Sequence, residues 1–454
     1  MTNPLPRETQ EPAFGLRGAT PVARIAAIAD PGSAEYLPPI GASPHLARFG
    51  IAAHADDGLV IARARVHGVP MLVAAQDERY LAGSVGERHG AALQAMVATA
   101  RRERASAIVL LLASGGVRLH EANLAELVLA RALSAFLDAR ADGIGVVAIG
   151  VASVFGGTSV LACAADRLAL LPGTRFGLSG PKVLESVHGK WELDADDARD
   201  VDAVFGARAR NAGGLVELLA DDADAVRAWV ARAAREREDF ASSVVAMQAR
   251  LGARIAGELA HASAFEALPC FDTAIPVDSA GRLWRRRECW LTRPNPGATL
   301  GPADTHALDA ALLAEVAGTD ARARTPVVLV EDSAGHVVSR AAEMKLISQF
   351  LAHHAAVLAL LRAQGTRLVG LLAGIGHSAA FFSNALQAPV LYALASSRVV
   401  TMEPSAVARV TGLAAGTLIE SDPLLGQPVR HFAAQGGVRA IIAEASLAAL
   451  GIPE

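Results

Sequence analysis

With 454 residues the chain has room for two or three domains, each with its own core. A formal net charge of −4 without any basic block gives no reason to expect nucleic acid as a partner. Hydrophobic residues reach 52 % and mean hydropathy is +0.32, but aromatics are only 4 % and much of the rest is alanine, which suits an Ala-rich protein in water better than one in lipid.

One span, 368–394, is long and mostly apolar. His377, Ser383, Asn384, Gln387 and Pro389 within it are each costly in a bilayer, so no membrane association is expected. The N-terminal MTNPLPRETQEP lacks a basic-then-apolar leader. Three cysteines (Cys163, Cys270, Cys289) at wide spacing, with no CxxC pair, offer neither a disulfide framework nor a zinc site. A cytoplasmic chain without a metal is the expectation.

Residues 1–20 read as a flexible lead, with turn signals following at Asp30-Pro31-Gly32 and Pro38-Pro39. The apolar runs 59–65 and 69–75 flank His67-Gly68 as a β-hairpin. Residues 76–90 are polar and glycine-punctuated, a loop of functional size leading into a helix over 91–102. The strand 108–112 is continuously apolar, as parallel strands are, and runs into Ser114-Gly115-Gly116. Leu124, Leu127, Val128, Leu133, Phe136 and Leu137 put one apolar face on the next helix, which stops before Gly143. A strand over 146–151, a small-residue loop over 152–159, a short helix and a strand over 168–171 follow. Strand, helix, strand in this order implies a right-handed crossover. Residues 194–223 read as acidic surface cover and 224–252 as one long solvated helix. The segment 261–303 changes character, with Pro269, Pro276, Pro294, Pro296, Pro302 and a charged run at 285–288. A boundary near residue 255 divides the chain into units 21–255 and 256–454.

In the second unit the pattern returns. A strand over 327–330 ends in Ser333-Ala334-Gly335, and a helix follows with Met344, Ile347, Phe350, Leu351, Val357, Leu358 and Leu361 on one face. Then come a strand over 368–373, a loop over 374–378, a helix and a strand over 390–394. Gly115 to Gly156 is 41 residues and Gly335 to Ala379 is 44, so the two blocks superpose with about one helical turn to spare. The fold class expected is α/β with an internal repeat; two α/β units sharing only general grammar is the other reading.

Gly156-Gly157 lie where an apolar run ends and a helix begins. Adjacent glycines let the main chain approach a ligand and turn N–H groups on it, or simply make a tight strand–helix turn. Gly376-His377-Ser378-Ala379-Ala380 is a near miss to the Gly-x-Ser-x-Gly nucleophile elbow, in the same strand–turn–helix setting. A serine acyltransferase would enlist His431 and Asp422; a polar wall or helix cap is the other use of Ser378. Glu343-Met344-Lys345-Leu346 superficially matches a biotin-attachment tetrapeptide, but its helical setting makes Lys345 a solvated lysine. His353-His354 cannot face one metal from a helix, since neighbours point about 100° apart. His89 and His120 are placed in loops beside the glycine-rich strand ends, with a surface or structural role as the alternative to a catalytic one.

Through SGGVRLHEAN (114–123), ASVFGGTSVLACAADRLAL (152–170) and FGLSGPKV (176–183), the first half resembles the carboxyltransferase subunits of the crotonase superfamily. AQDERYLAGSVGERHG (75–90) is similar to their loop after an early strand. DSAGHVVSR (332–340), GIGHSAAFFSNALQA (374–388) and MEPSAVARVTG (402–412) extend the likeness, so that both halves together resemble the β and γ subunits of malonate decarboxylase joined in one chain.

The resemblance implies two crotonase-like spiral ββα domains facing each other, with substrate in the cleft between them. It implies decarboxylation of a malonyl thioester to the acetyl thioester, with no covalently bound cofactor. The substrate would ride on the CoA-derived phosphopantetheine arm of an acyl-carrier protein, and an acetyl/malonyl transferase subunit would be the second partner. Loss of CO2 leaves an enolate charged at the thioester oxygen, which calls for N–H donors and a poorly hydrated place for the departing carboxylate. Gly156 and Gly157, supported by Gly115 and Gly116, are expected at that oxygen. Gly335, Ala379 and Ala380 would form the facing corner, with His377 and Ser378 near the carboxylate or the incoming proton. Ser114, Gly180, Gln76 and His89 would complete the substrate contacts. Where the family pattern has Ser-Gly-Ala this chain has Ser378-Ala379-Ala380, and a methyl on residue 379 would narrow the second corner. The alternatives are a biotin-dependent carboxyltransferase with carboxybiotin in the second corner, the serine acyltransferase, and a scaffold with that corner closed.

Overall fold

Residues 15–261, 268–286, 289–292, 297–317 and 325–452 are described by the computed structural model. Residues 1–14 of the expected lead lie outside the described residues, as do Pro294, Pro296 and the Arg287-Glu288 half of the charged run. Residues 15–20 are not a flexible lead. Leu16 is buried, its N–H donates to Asp221 Oδ1 at 2.7 Å, and Thr20 caps the helix Pro21–Ile28.

One sheet runs β1 (Glu35–Tyr36), β2 (Leu59–Val66), β3 (Val69–Gln76), β4 (Ala107–Ser114), β5 (Gly145–Val154), β6 (Arg167–Leu170) and β7 (Glu217–Leu218) in spatial order. The pairs among β1, β2 and β3 are antiparallel; those from β3 to β7 are parallel. The hairpin closes at His67-Gly68, both with positive φ, the conformation of a primed two-residue turn. β4 is buried along its whole length because helices cover both faces. Glu87–Glu103 and Ala122–Ala141 lie on one side, Pro21–Ile28 and Ala223–Arg235 on the other.

The second half repeats this plan with β8 (Ile275–Pro276), β9 (Leu283–Arg286), β10 (Cys289–Thr292), β11 (Val327–Glu331), β12 (Leu368–Leu372), β13 (Ile375–His377), β14 (Val390–Leu394), β15 (Arg398–Val400) and β16 (Ala440–Ile442). β8, β9 and β10 are antiparallel neighbours, after which β10, β11, β12, β14 and β16 run parallel; β13 and β15 pair separately. The architecture is α/β, with a hairpin feeding parallel strands in each sheet. The second hairpin sits in the proline-punctuated segment, where strands this short leave no periodic signal.

Three expectations change. The helix after β3 begins at Glu87, so His89 is helical and the loop is shorter. The span 224–252 is two helices, Ala223–Arg235 and Phe240–Arg254, and Val226, Trp229 and Val230 are buried in the first. The helix after β11 is broken at Leu346 (φ +63°) into Arg340–Met344 and Ile347–Ala363, which leaves Met344 exposed. Residues 347–361 are buried on every side because that helix lies between the halves, against Ala122–Ala141 and Gly157–Cys163. Among the described residues no helix is long and apolar enough to cross a membrane.

Candidate active site

A serine shapes the end of a strand in each half. Ser114 Oγ accepts from the N–H of Gly116 at 3.1 Å, and Gly116 stands at φ +102°. Ser333 Oγ accepts from the N–H of Gly335 at 3.4 Å, and Gly335 stands at φ +94°. The neighbouring strand ends also correspond: Gly156 (φ +61°) precedes the helix Gly157–Cys163, and Ser378 (φ +49°) opens Ser378–Ser383. Gly116 therefore matches Gly335, and Gly156 matches Ser378. Both pairings are one residue away from those that spacing suggests, so Ala379 stands in the place of Gly157. Gly116 and Gly156 abut so closely that a Cβ on either would lie 3.1 Å from the other's Cα.

Both corners open onto one cavity of about 680 Å³. Gly115, Gly156 and Gly157 reach it from the first half, and Gly335, Ser378 and Ala379 from the second. Not every amide of these corners is free to donate into it. Gly115 N–H bonds Ala82 O, Gly116 N–H bonds Ser114 Oγ, and Gly156 N–H bonds Leu178 O at 3.0 Å. These three glycines thus give the corner its shape rather than its donors. Gly157 N–H, at the first position of its helix, has no carbonyl one turn behind it. Among the described residues, no hydrogen bond takes the N–H of Val117, or of His336 and Ala379 at the matching places in the second half. Ala379 lines the cavity. Its methyl sits in a helix, whereas Ser378 carries the backbone strain, and non-glycine residues so placed cost about 1–3 kcal/mol.

Of the other expected site residues, His377 and Gly180 line the cavity, while Ser114, Gly116 and Ala380 lie behind its wall. Gln76 and His89 are corrected: they belong to a buried network away from it. Gln76 Oε1 accepts from Ala113 N–H at 2.9 Å and its Nε2 meets His89 Nε2 at 3.2 Å. Burial, with Arg118 nearby, holds the His89 imidazole down to about 3, so it stays neutral. The backbone N–H of His89 donates to Asp57 Oδ2, and Asp57 pairs with Arg118 at 2.7 Å. His120 packs edge-on against Phe49. No triad forms around Ser378, because His431 bonds Glu420 O and Asp422 pairs with Arg48. Among the described residues, the carboxylates spaced to hold a metal ion, Glu185, Asp194 and Asp196, are engaged by Lys182 and Lys190 and line no part of the cavity.

The structure adds residues that the sequence did not single out. His336 lines the cavity, its Nε2 is 3.1 Å from Ser179 Oγ, and its buried Nδ1 has no partner among the described residues. Burial, with His377 close by, holds its pKa down to about 4. Burial also lowers His377, against the pull of Glu403 and a bond to the Ala334 backbone. Glu126 and Thr401 reach the same cavity. Behind the second corner runs a chain of contacts: Asp309 to His354 (2.6 Å), His354 to Asn384 (3.3 Å), Asn384 to Glu331 (2.8 Å) and Glu331 to Ser333 (2.6 Å). Glu343, the first letter of the biotin-like tetrapeptide, clamps the halves together. It accepts from the N–H of Leu178 and of Ser179 and pairs with Arg210 at 3.0 Å. Lys345 pairs with Glu258 in the helix break. His336 lies inside the quoted stretch 332–340 and Thr401 directly precedes 402–412, but nothing in their letters marks them as cavity residues.

Each half also matches a known family. Residues 18–239 match the carboxyl transferase domain, and residues 297–450 the malonate decarboxylase gamma subunit. Over 229 residues the chain is 32 % identical to the malonyl-S-ACP:biotin-protein carboxyltransferase of Malonomonas rubra, across 46 % of this chain and 71 % of that protein. The chain belongs to the malonate decarboxylase and carboxyltransferase family. This carboxyltransferase-family chain is also 32 % identical over 180 residues to the acetyl-coenzyme A carboxylase carboxyl transferase subunits beta/alpha of Parafrankia, of which it spans 29 %. Among solved structures, a Pseudomonas malonate decarboxylase hetero-tetramer in complex with malonate shares 34 % identity across 50 % of this chain and 86 % of that chain, with a TM-score of 0.47. Transcarboxylase 12S shares 16 % across 93 % and 86 %, with a TM-score of 0.38.

Proposed function

We propose that this carboxyltransferase-family chain decarboxylates a malonyl thioester presented on the phosphopantetheine arm of an acyl-carrier protein, leaving the acetyl thioester and using no biotin. One observation carries the reading: small-residue corners from both halves open onto a single cavity. Breaking the bond to CO2 moves an electron pair into the thioester, whose oxygen becomes the anion. The N–H groups of Gly157 and Val117 would receive that charge, and one such donor is worth about 3–4 kcal/mol of barrier. The N–H groups of His336 and Ala379 would hold the carboxylate before it leaves. The walls include Val117, Phe155, Leu178, Val183, Val338 and Phe382, so the carboxylate is poorly hydrated there, which favours its departure. The acyl-carrier protein and an acetyl/malonyl transferase subunit are the partners, within the cytoplasm.

The name of the Malonomonas relative favours a second reading, in which the carboxyl group passes to a biotin protein docked at the second corner. Mass spectrometry of a malonyl-carrier substrate, incubated with and without a biotin carrier protein, separates the two. We expect acetyl-carrier and CO2 to form without the biotin protein. CO2 release that requires it overturns the decarboxylase reading in favour of carboxyl transfer.

A further inference from the structure

Glu126 is a buried carboxyl on the cavity wall to which the reaction above gives no task. It lies on Ala122–Ala141, is 2 % exposed, and its Oε2 is 2.6 Å from Thr401 Oγ1. The same hydroxyl is 2.7 Å from Asn123 Oδ1. The orientation of Asn123 is fixed. Its Nδ2 donates to Val399 O at 3.1 Å and Gly426 O at 3.2 Å, while its Oδ1 faces the Thr401 N–H at 3.3 Å. Asn123 Oδ1 is therefore an acceptor, and a hydroxyl has one proton to give. When Thr401 serves Asn123, its contact with Glu126 needs a proton supplied by Glu126, which makes that side chain a neutral acid. Once Glu126 has lost the proton, the hydroxyl turns to the new carboxylate and the Thr401 N–H still serves Asn123. Both states are hydrogen-bonded with no heavy atom moving, as a donor reloaded at every turnover requires.

We propose that Glu126 delivers the proton that converts the enolate into the acetyl thioester. The inference rests on the decarboxylase reading. The bond to CO2 breaks and its electron pair passes into the enolate. The enolate carbon then takes the Glu126 proton, and the O–H pair remains on the carboxylate. A proton returns from water, so one is consumed for each CO2 released. The titratable groups facing Glu126 are Glu331 on β11 and, around the cavity, His188, His336, His377 and Glu403. Burial, with Glu331 adding to it against the Thr401 bond, pushes Glu126 up to about 8. The lowered His336 and His377 are neutral rings near pH 7 and much poorer acids.

The test follows kcat for malonyl-carrier decarboxylation against pH in the wild type, Glu126→Gln and Glu126→Asp, alongside infrared titration of the carboxylic-acid carbonyl band. In the wild type kcat is expected to fall as pH rises through about 8, and the infrared band to vanish over the same range. Glu126→Gln should lose the alkaline limb and the acid band that titrates with it, keep the acid bands of Glu331 and Glu343, and lose about 100-fold in kcat, with KM within threefold. Glu126→Asp should recover part of the rate together with the alkaline limb. A Glu126→Gln enzyme within threefold of the wild type, or a wild type without a titrating acid band, overturns the inference alone. A wild type that releases no CO2 overturns the decarboxylase reading and the inference with it.

Discussion

Ser378 is a serine held in a glycine's conformation. It stands where the first half has Gly156, at φ +49°, and neither His431 nor Asp422 is free to activate its side chain. Replacement by glycine is expected to raise stability by about 1 kcal/mol, because relief of the backbone strain outweighs the extra freedom of the unfolded chain. A chemical denaturation midpoint reads that gain. Ser378→Ala is expected to lower kcat less than tenfold, since the proposed mechanism uses amides rather than the hydroxyl at the thioester. A loss of about 10^4 would restore the nucleophile reading. Small residues at strand ends were visible in the letters, whereas the left-handed turn at each of them was not. Spacing alone therefore matched Gly156 with Ala379, and only backbone angles move the match to Ser378.

At the scale of elements, most of the parallel strands could be read directly, because β4, β5, β11 and β12 each hold a buried apolar run. The hairpin β9–β10 could not, since four-residue strands give no period. Gln76 and His89 resembled polar loop residues because letters do not distinguish a buried hydrogen-bond network from an exposed one. Glu343 was hidden in the same way, inside a tetrapeptide that drew the eye to its lysine. Yet its carboxylate receives Leu178 and Ser179, and Leu178 O in turn takes the Gly156 N–H of the first corner. Glu343→Ala would leave Arg210 buried without its counter-ion and two amides unpaired. We expect a cost of about 3–5 kcal/mol in urea unfolding. Activity should fall even where the variant remains folded, because the corner loses its brace.

Across the whole molecule, buried acids and bases set how stability follows pH. His89 (about 3), His336 (about 4) and His353 (about 4) are held below the ordinary 6.5 by burial, so between about pH 4 and 6.5 the unfolded chain binds more protons. Their contribution is present above 6.5 and is lost as pH falls. Glu126 (about 8) and Glu331 (about 7) have the opposite sign. Above about 4.5 the folded chain keeps protons that the unfolded chain has released, so their contribution is lost as pH rises through 7 to 8. Glu343 and His354, also raised, act in the same direction. From pH 6.5 to 8 these groups act alone, and thermal midpoints are expected to decline. Glu126→Gln should flatten that decline.

The continuous burial of 347–361 and the Arg210–Glu343 clamp bear on what a cut polypeptide would do. A protease nick at exposed Gly257, where a turn at φ +88° projects into open space, would leave two pieces, each deprived of something it needs. One would present a cation with nothing opposite it, and the other a bare greasy rod. The nicked pieces are expected to elute together in gel filtration and to part only in denaturant. Co-elution would show that side chains, and not the peptide bond alone, hold the halves together.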